Sequence, residues 1–272
     1  RLCPVCNWRR SLKIFSQVSK IIQAIEQDKE HAYIFLTLTQ KNVSGENLEK
    51  MLDDMMYGWN KFMKYKNVVW DWNGTLLNDV KVGVNTLNDM LGRRGLPLLS
   101  VEDYKEKFGF PVIDFYDRVG FDMEKESFHE LSVDFVETYD KYAGEVGLNE
   151  GVREVLAGIQ QTGVKQYVLS ALREDLLQQM LRHFQIDSRF DRACGANDIY
   201  AAGKIERGQQ MLQTCPIVPE DTLMVGDTIH DAEAADALGF DCILFAGGHN
   251  NEERLQKKAP VIHRMRELLT CV

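Results

Sequence analysis

Five short apolar runs constrain what most of this chain can become: VVWD (68–71), YVLSA (167–171), RACGA (192–196), TLMVGD (222–227) and DCILFA (241–246). Each is too continuously apolar for a strand with one wet face, and the stretches between them carry helical periodicity. Such strands are buried on both faces. In a chain that alternates strand with helix, this predicts an α/β, doubly wound parallel sheet covered by helices on both sides. The gap after the first run far exceeds one crossover and reads as a helical insertion, rich in Asp, Glu and aromatic residues, over 79–148.

Sheets of this kind bind ligands outside the carboxyl ends of their strands. Asp71, Ser170 and Asp227 each stand at such an end, and Lys204 lies in the run AAGKIERG. Taken singly, Asp71 and Ser170 read equally well as helix caps and Lys204 as a surface lysine. Together, in this order and spacing, they read as a site. The stretch VVWDWNGTLLNDV (68–80) adds the turn pair Asn73-Gly74 two residues after the carboxylate.

At 272 residues with 44% hydrophobic content, the chain has material for one large domain and something smaller. No apolar segment is long enough to span a bilayer, no export signal opens the chain, and a cytoplasmic location is expected. Neither a P-loop nor a GxGxxG occurs, so no organic cofactor is expected. The scattered Cys3, Cys6, Cys194, Cys215, Cys242 and Cys271 read as reduced thiols. The net charge of -9 is uneven: 11 Lys and Arg against 7 Asp and Glu up to Lys66, and 21 against 34 beyond it. That asymmetry predicts two segments of different origin. The first opens RLCPVCNWRR without Met, so upstream sequence is expected. It then patterns as helix, strand (32–40) and helix (48–65), a small α+β segment. Its CxxC lacks the second ligand pair that zinc needs.

The motif Asp71-Trp72-Asn73-Gly74-Thr75, with Ser170, Lys204 and the GDTIHD run (226–231), resembles the four motifs of the haloacid dehalogenase-like hydrolase superfamily, and most of all its phosphoglycolate phosphatase-like branch. The resemblance covers 67–272. It implies a core of 67–78 and 149–272, a helical cap over 79–148, and adjacent strands for the first and fourth motifs. Asp71 is then a nucleophile that forms an aspartyl phosphate. Mg²⁺ is held by Asp71, the backbone carbonyl of Asn73 and Asp227, with Asp231 as direct ligand or support. Ser170 at a helix start, Ala171, Gly74, Thr75 and Lys204 bind the phosphoryl group. The implied substrate is a small phosphorylated metabolite. Cap residues Phe110, Pro111, Phe115, Tyr116 and Arg118 are expected to face it, Arg118 pairing with a substrate carboxylate.

Asn73 departs from the pattern. The superfamily's phosphatases usually carry a second Asp there, which protonates the leaving alkoxide and activates water. An amide does neither, and this removes assistance of about 10²–10⁴-fold. Three readings follow: slow turnover or good leaving groups, proton transfer by His230 or a cap residue, or deamidation of Asn73-Gly74. If Asn73 tunes the aspartyl-phosphate mechanism, Asn73→Asp is expected to raise turnover. Halide displacement, phosphonate cleavage through Lys105 or Lys107, and a phosphate- or metal-binding regulatory module stay open as alternatives.

Residues 1–66 resemble the front of rolling-circle plasmid replication initiators through the CPxCxWRR stretch and the strand FLTLT. Those proteins cut DNA with a tyrosine and a metal held by H-x-H, which does not occur here. The segment is expected to be a remnant or fusion without nicking activity. Arg9 and Arg10 suit a phosphate contact and a solvated helix face equally well, DNA binding by this segment is not expected, and no sequence pattern specifies an oligomer.

Overall fold

The structure, a computed structural model, describes residues 65–197 and 203–270. They belong to a compact unit that runs from Met63 to Val272. The helix, strand and helix expected before Tyr65, the pair Cys3 and Cys6, and Cys271 lie outside the described residues.

The strands are β1 (Asn67–Trp70), β2 (Leu77–Asn78), β3 (Gly147–Leu148), β4 (Lys165–Arg173), β5 (Arg192–Ala196), β6 (Thr222–Gly226), β7 (Asp241–Phe245) and β8 (Val261–Ile262). Six form a parallel sheet in the order β5-β4-β1-β6-β7-β8. The five apolar runs are five of these strands, and the two-residue β8 extends the sheet beyond them. The first and fourth motif strands, β1 and β6, are neighbours as the resemblance implies. All of β1 is buried. Successive side chains leave opposite faces of a strand, so Val68 and Trp70 enter one apolar cluster with Leu156, Val168 and Val225. Val69 enters another, with Tyr167, Met211, Met224 and Phe240. Both faces are covered, hence the continuous rather than alternating hydrophobicity.

Between β2 and β3, which pair antiparallel, the chain leaves the sheet as α1 (Val80–Arg93), α2 (Val101–Lys107), α3 (Val112–Val119) and α4 (Phe128–Tyr142). Ser100 and Ser127 start α2 and α4 with reciprocal capping boxes through Asp103 and Glu130. Arg93 and Arg94, at the end of α1, both pair with Asp134 of α4. These helices enclose a hydrophobic core of their own, including Leu87, Leu91, Tyr104 and Leu131. Phe115 and Tyr116 belong to that core, at 2% and 3% exposure. The expectation that they face a substrate is therefore corrected: with Val119 they form the apolar face of α3, which turns inward.

Helices α5 (Val152–Gln161), α6 (Glu174–His183), α7 (Lys204–Thr214), α8 (Ile229–Leu238) and α9 (Glu252–Leu255) flank the sheet. No helix of the described residues is long and apolar enough to cross a membrane. The stretch 247–254 reaches from the sheet to the end of α2. Arg254 Nη1 donates to the carbonyls of Lys105, Glu106 and Phe108 at 3.0, 2.7 and 2.7 Å. A cation there satisfies carbonyls that a helix end leaves orphaned.

Candidate active site

The carboxyl ends of β1, β4 and β6 meet at the centre of the sheet. Asp71 follows β1, and its backbone N–H still donates to Val225 of β6. Asp227 follows β6. Asp231 lies in the first turn of α8, where its Oδ2 accepts from the N–H groups of Asp227 and Thr228 and from the Thr228 hydroxyl. One oxygen from each of Asp71, Asp227 and Asp231 lies within 4.8 Å of the others. The first residue of α7, Lys204, is 4% exposed and donates to Oδ1 of Asp71 and Oδ1 of Asp231, at 2.5 Å each.

Charge does not balance among these groups. Three buried carboxylates face one ammonium, so burial, reinforced by the neighbouring carboxylates, holds Asp71 well above the usual carboxylate range. The same causes push Asp227 up to about 6, against the pull of His249. At Asp231 the opposite holds, because Lys204 and the Thr228 donors outweigh burial. For Lys204, burial is outweighed by Asp231 and Asp71, and its pKa rises. An excess of buried negative charge on hard oxygen donors fits a divalent cation such as Mg²⁺. Gly248 lies so near Asp227 that a Cβ there would fall 2.1 Å from its Oδ2. Asp231 has both oxygens engaged, by Lys204 and by the donors around Thr228, and so does Asp227, by the Thr75 hydroxyl and the His249 N–H.

Thr75 donates its hydroxyl to Asp227 Oδ1 at 2.8 Å. Gly74, at φ +76, lets the turn pass under Asp227, where a Cβ would lie 2.2 Å from Oδ2. Ser170 is buried near the end of β4, its Oγ accepting from the Leu172 N–H at 3.0 Å. That leaves the hydroxyl proton free to donate. The sequence places Ser170 and Ala171 at a helix start, and the structure corrects this: they lie within β4, where its register against β5 shifts between Leu169 and Arg173, and α6 begins at Glu174. This irregularity leaves residues 170–172 out of the regular pairing, which resumes at Arg173 with Ala196.

The remaining expected residues lie on or beside the insertion. Phe110 stacks on His230 with ring centroids 4.5 Å apart. His230 Nε2 has no hydrogen-bond partner among the described residues, and burial lowers its pKa. Arg118 forms no salt bridge among the described residues, and the nearby Asp122 pairs with Lys125. Lys105 reaches the carbonyl of Gly247 at 3.5 Å, and burial lowers its pKa.

Sequence reasoning missed Asp79 and His249. Asp79 precedes α1 but makes no side-chain cap to it. Its Oδ2 accepts from Asn73 Nδ2 at 2.8 Å and the Tyr139 hydroxyl at 3.1 Å. Oδ1 accepts from the Gly74 N–H at 2.8 Å and His249 Nε2 at 3.2 Å. Burial disfavours the imidazolium, but Asp79 outweighs it and pushes His249 up to about 9. With both ring nitrogens protonated, Nδ1 donates to the Tyr104 hydroxyl 2.9 Å away. The backbone N–H of His249 donates to Asp227 at 2.6 Å. A signal existed: the polar pair Asn78-Asp79, set between Leu76-Leu77 and Val80, directly follows the motif.

Comparison with known proteins divides the chain in the same place. Residues 68–245 match the family model described as haloacid dehalogenase-like hydrolase, and residues 1–74 match that of a replication protein. A replication protein of Bacillus amyloliquefaciens is 47% identical over 68 residues, 25% of this chain and 20% of its own length. The chain thus spans about a fifth of the replication proteins it matches. The tyrosine-protein kinase PtkA of Mycobacterium tuberculosis is 25% identical over 197 residues, 72% of this chain and 67% of that one. The crystal structure of a predicted phosphoglycolate phosphatase from Haemophilus somnus superposes with a TM-score of 0.62 at 20% identity, covering 76% of this chain and 98% of its own, a likeness of fold.

Proposed function

Because the chain belongs to the haloacid dehalogenase-like hydrolase family, we propose that it is a Mg²⁺-assisted phosphatase that cleaves a small phosphomonoester through an aspartyl phosphate on Asp71. The observation that carries this reading is Lys204, buried and bonded to both Asp71 and Asp231. An ammonium in that position orients the nucleophile and neutralises the charge that two approaching anions bring together.

Asp71 attacks phosphorus, the bond from phosphorus to the ester oxygen breaks, and the alcohol leaves. Lys204 fixes Oδ1 of Asp71, while Oδ2 has no hydrogen-bond partner among the described residues. Ser170 donates to a phosphoryl oxygen, joined by backbone N–H groups near Ala171 and Thr75, while the Gly74 N–H is engaged by Asp79. Water then attacks the same phosphorus, which releases phosphate and restores the carboxylate. Asn73 holds no proton for either step, so the leaving alkoxide takes its proton from water, and good leaving groups react fastest. Asp71, Asp227 and the backbone carbonyl of Asn73 would hold Mg²⁺, which supplies charge neutralisation when bound.

In this reading the helices of 79–148 are a cap over the core of 67–78 and 149–272. Phe110 and Arg118 serve substrate binding, and residues 1–66 are a fusion remnant without nicking activity. The test is hydrolysis of an aryl phosphate with and without Mg²⁺. Turnover by the wild type that vanishes in Asp71→Asn supports the proposal; a wild type inert with Mg²⁺, or equally active as Asp71→Asn, refutes it.

Asn73 and the likeness to a protein named as a tyrosine kinase favour a second reading. Without a carboxylate to deprotonate water, hydrolysis of the aspartyl phosphate slows, and a more acidic hydroxyl such as a phenol, which gives up its proton to solvent more readily, competes with water for the phosphoryl group. An added alcohol that lowers the phosphate released per alcohol cleaved supports transfer; an unchanged ratio opposes it.

A further inference from the structure

The geometry points to Asp79 as the positioning residue of the site, with Asn73 as its obligate partner: residue 73 is an amide because a buried carboxylate already occupies the space beside it.

Asp79 is 2% exposed and accepts four hydrogen bonds, two on each oxygen. Two come from the turn that carries the site, through the side chain of Asn73 and the N–H of Gly74. The other two come from His249, which also holds Asp227, and from Tyr139 of α4. One carboxylate therefore fixes the turn after Asp71, the loop behind Asp227 and a helix of the insertion. An Asp before a helix ordinarily caps it. This one leaves its helix uncapped and turns to the motif loop instead.

The arrangement changes what Asn73→Asp should do. A carboxylate at residue 73 meets Asp79 Oδ2 at the 2.8 Å now spanned by the amide hydrogen bond. Two buried carboxylates that close do not both ionise. The single substitution thus forces residues 73 and 79 to share a proton, which costs stability at neutral pH and withdraws charge from the bonds that Asp79 makes to Gly74 and His249. Exchanging the groups, as Asn73→Asp with Asp79→Asn, keeps every bond. The new amide at residue 79 would accept from Gly74 and His249 through its oxygen and donate through its nitrogen to the new carboxylate at residue 73, while Tyr139 would accept instead of donating.

The test is a cycle of wild type, both single variants and the double variant. Unfolding is followed in chelator, and turnover on aryl and alkyl phosphates in Mg²⁺; the activity arm rests on the phosphatase reading, the unfolding arm does not. The double variant is expected to melt well above Asn73→Asp. Its alkyl-to-aryl rate ratio is expected to exceed that of the wild type by about 10-fold or more, since it carries a general acid at residue 73. A purely structural role would leave that ratio unchanged. Additive losses, with the double variant the least stable, overturn the inference. Coupled unfolding without turnover in any protein sinks only the phosphatase reading, and turnover with additive losses sinks only the role of Asp79. If Asn73→Asp does not fold, Asn73→Ala removes the same hydrogen bond without adding charge, and its coupling to Asp79→Asn decides.

Discussion

Replacing His249 by Gln should remove from the protein's pH-dependent stability the part that belongs to the His249 imidazolium. Asp79 and His249 form a buried ion pair 3.2 Å apart that joins the loop behind Asp227 to the start of the insertion, with Tyr104 on the far side of the ring. The folded protein raises His249 from 6.5 to about 9. At about 1.4 kcal/mol per pKa unit this is about 3 kcal/mol, the order found for breaking one partner of a buried pair. The sign follows from the direction of the shift. A raised histidine pKa contributes fully below the unfolded value of 6.5, and its contribution is lost as pH rises through about 9. Asp79, held below the usual carboxylate range because His249 and the Asn73 and Gly74 donors outweigh burial, contributes above its unfolded value of 3.8 and less as pH falls beneath it. Urea unfolding of wild type and His249→Gln in chelator, from pH 5 to pH 10, isolates the histidine in the difference between the two curves. That difference should be largest near pH 6 and shrink by about 3 kcal/mol toward pH 10, equivalent near pH 6 to a Tm gap of about 6–12 °C for a unit of this size. A difference that stays constant from pH 6 to pH 10 would refute the buried imidazolium.

Other outcomes follow from the same geometry. Asp71→Asn should abolish turnover yet raise the melting temperature of metal-free protein, because it removes one of three carboxylates facing a single ammonium; a lower melting temperature would contradict the charge imbalance. Lys204→Met should reduce turnover by about 10²-fold or more, and added Mg²⁺ should raise its melting temperature more than it raises that of the wild type. Gly248→Ala drives a methyl group to 2.1 Å from Asp227 Oδ2 and should weaken Mg²⁺ binding, read by titration calorimetry. Asn73 should remain intact in peptide mass spectra after long incubation despite its glycine neighbour, since Asp79 holds both the amide and the Gly74 nitrogen that would attack it.

The sheet was legible in the sequence because burial on both faces leaves an unbroken apolar signature, and five strands announced themselves that way. β8, with two residues, is too short to carry one. Asp71, Asp227, Asp231 and Lys204 were legible because strand ends and a helix start bring together residues that order and spacing already related. Asp79 and His249 were not: they are 170 residues apart, and nothing local in either segment requires the other. Phe115 and Tyr116 misled for the same reason, since helical spacing reveals an apolar face without revealing which body it packs against. The Ser170 segment ran against expectation because an irregular strand end and a helix start both suit a small polar residue.

The central position of β1 has a consequence for how the chain is made. Asn67 pairs with Lys165 on one side and with Thr222 on the other. Both edges of the innermost strand therefore stay open while the ribosome adds the insertion, and one stays open until β6 emerges. Contacts of such long sequence separation form slowly and leave strand edges available to other chains meanwhile. The insertion, with a hydrophobic core drawn wholly from its own residues, can condense during that interval, so strands made after it complete a sheet around a strand made before it.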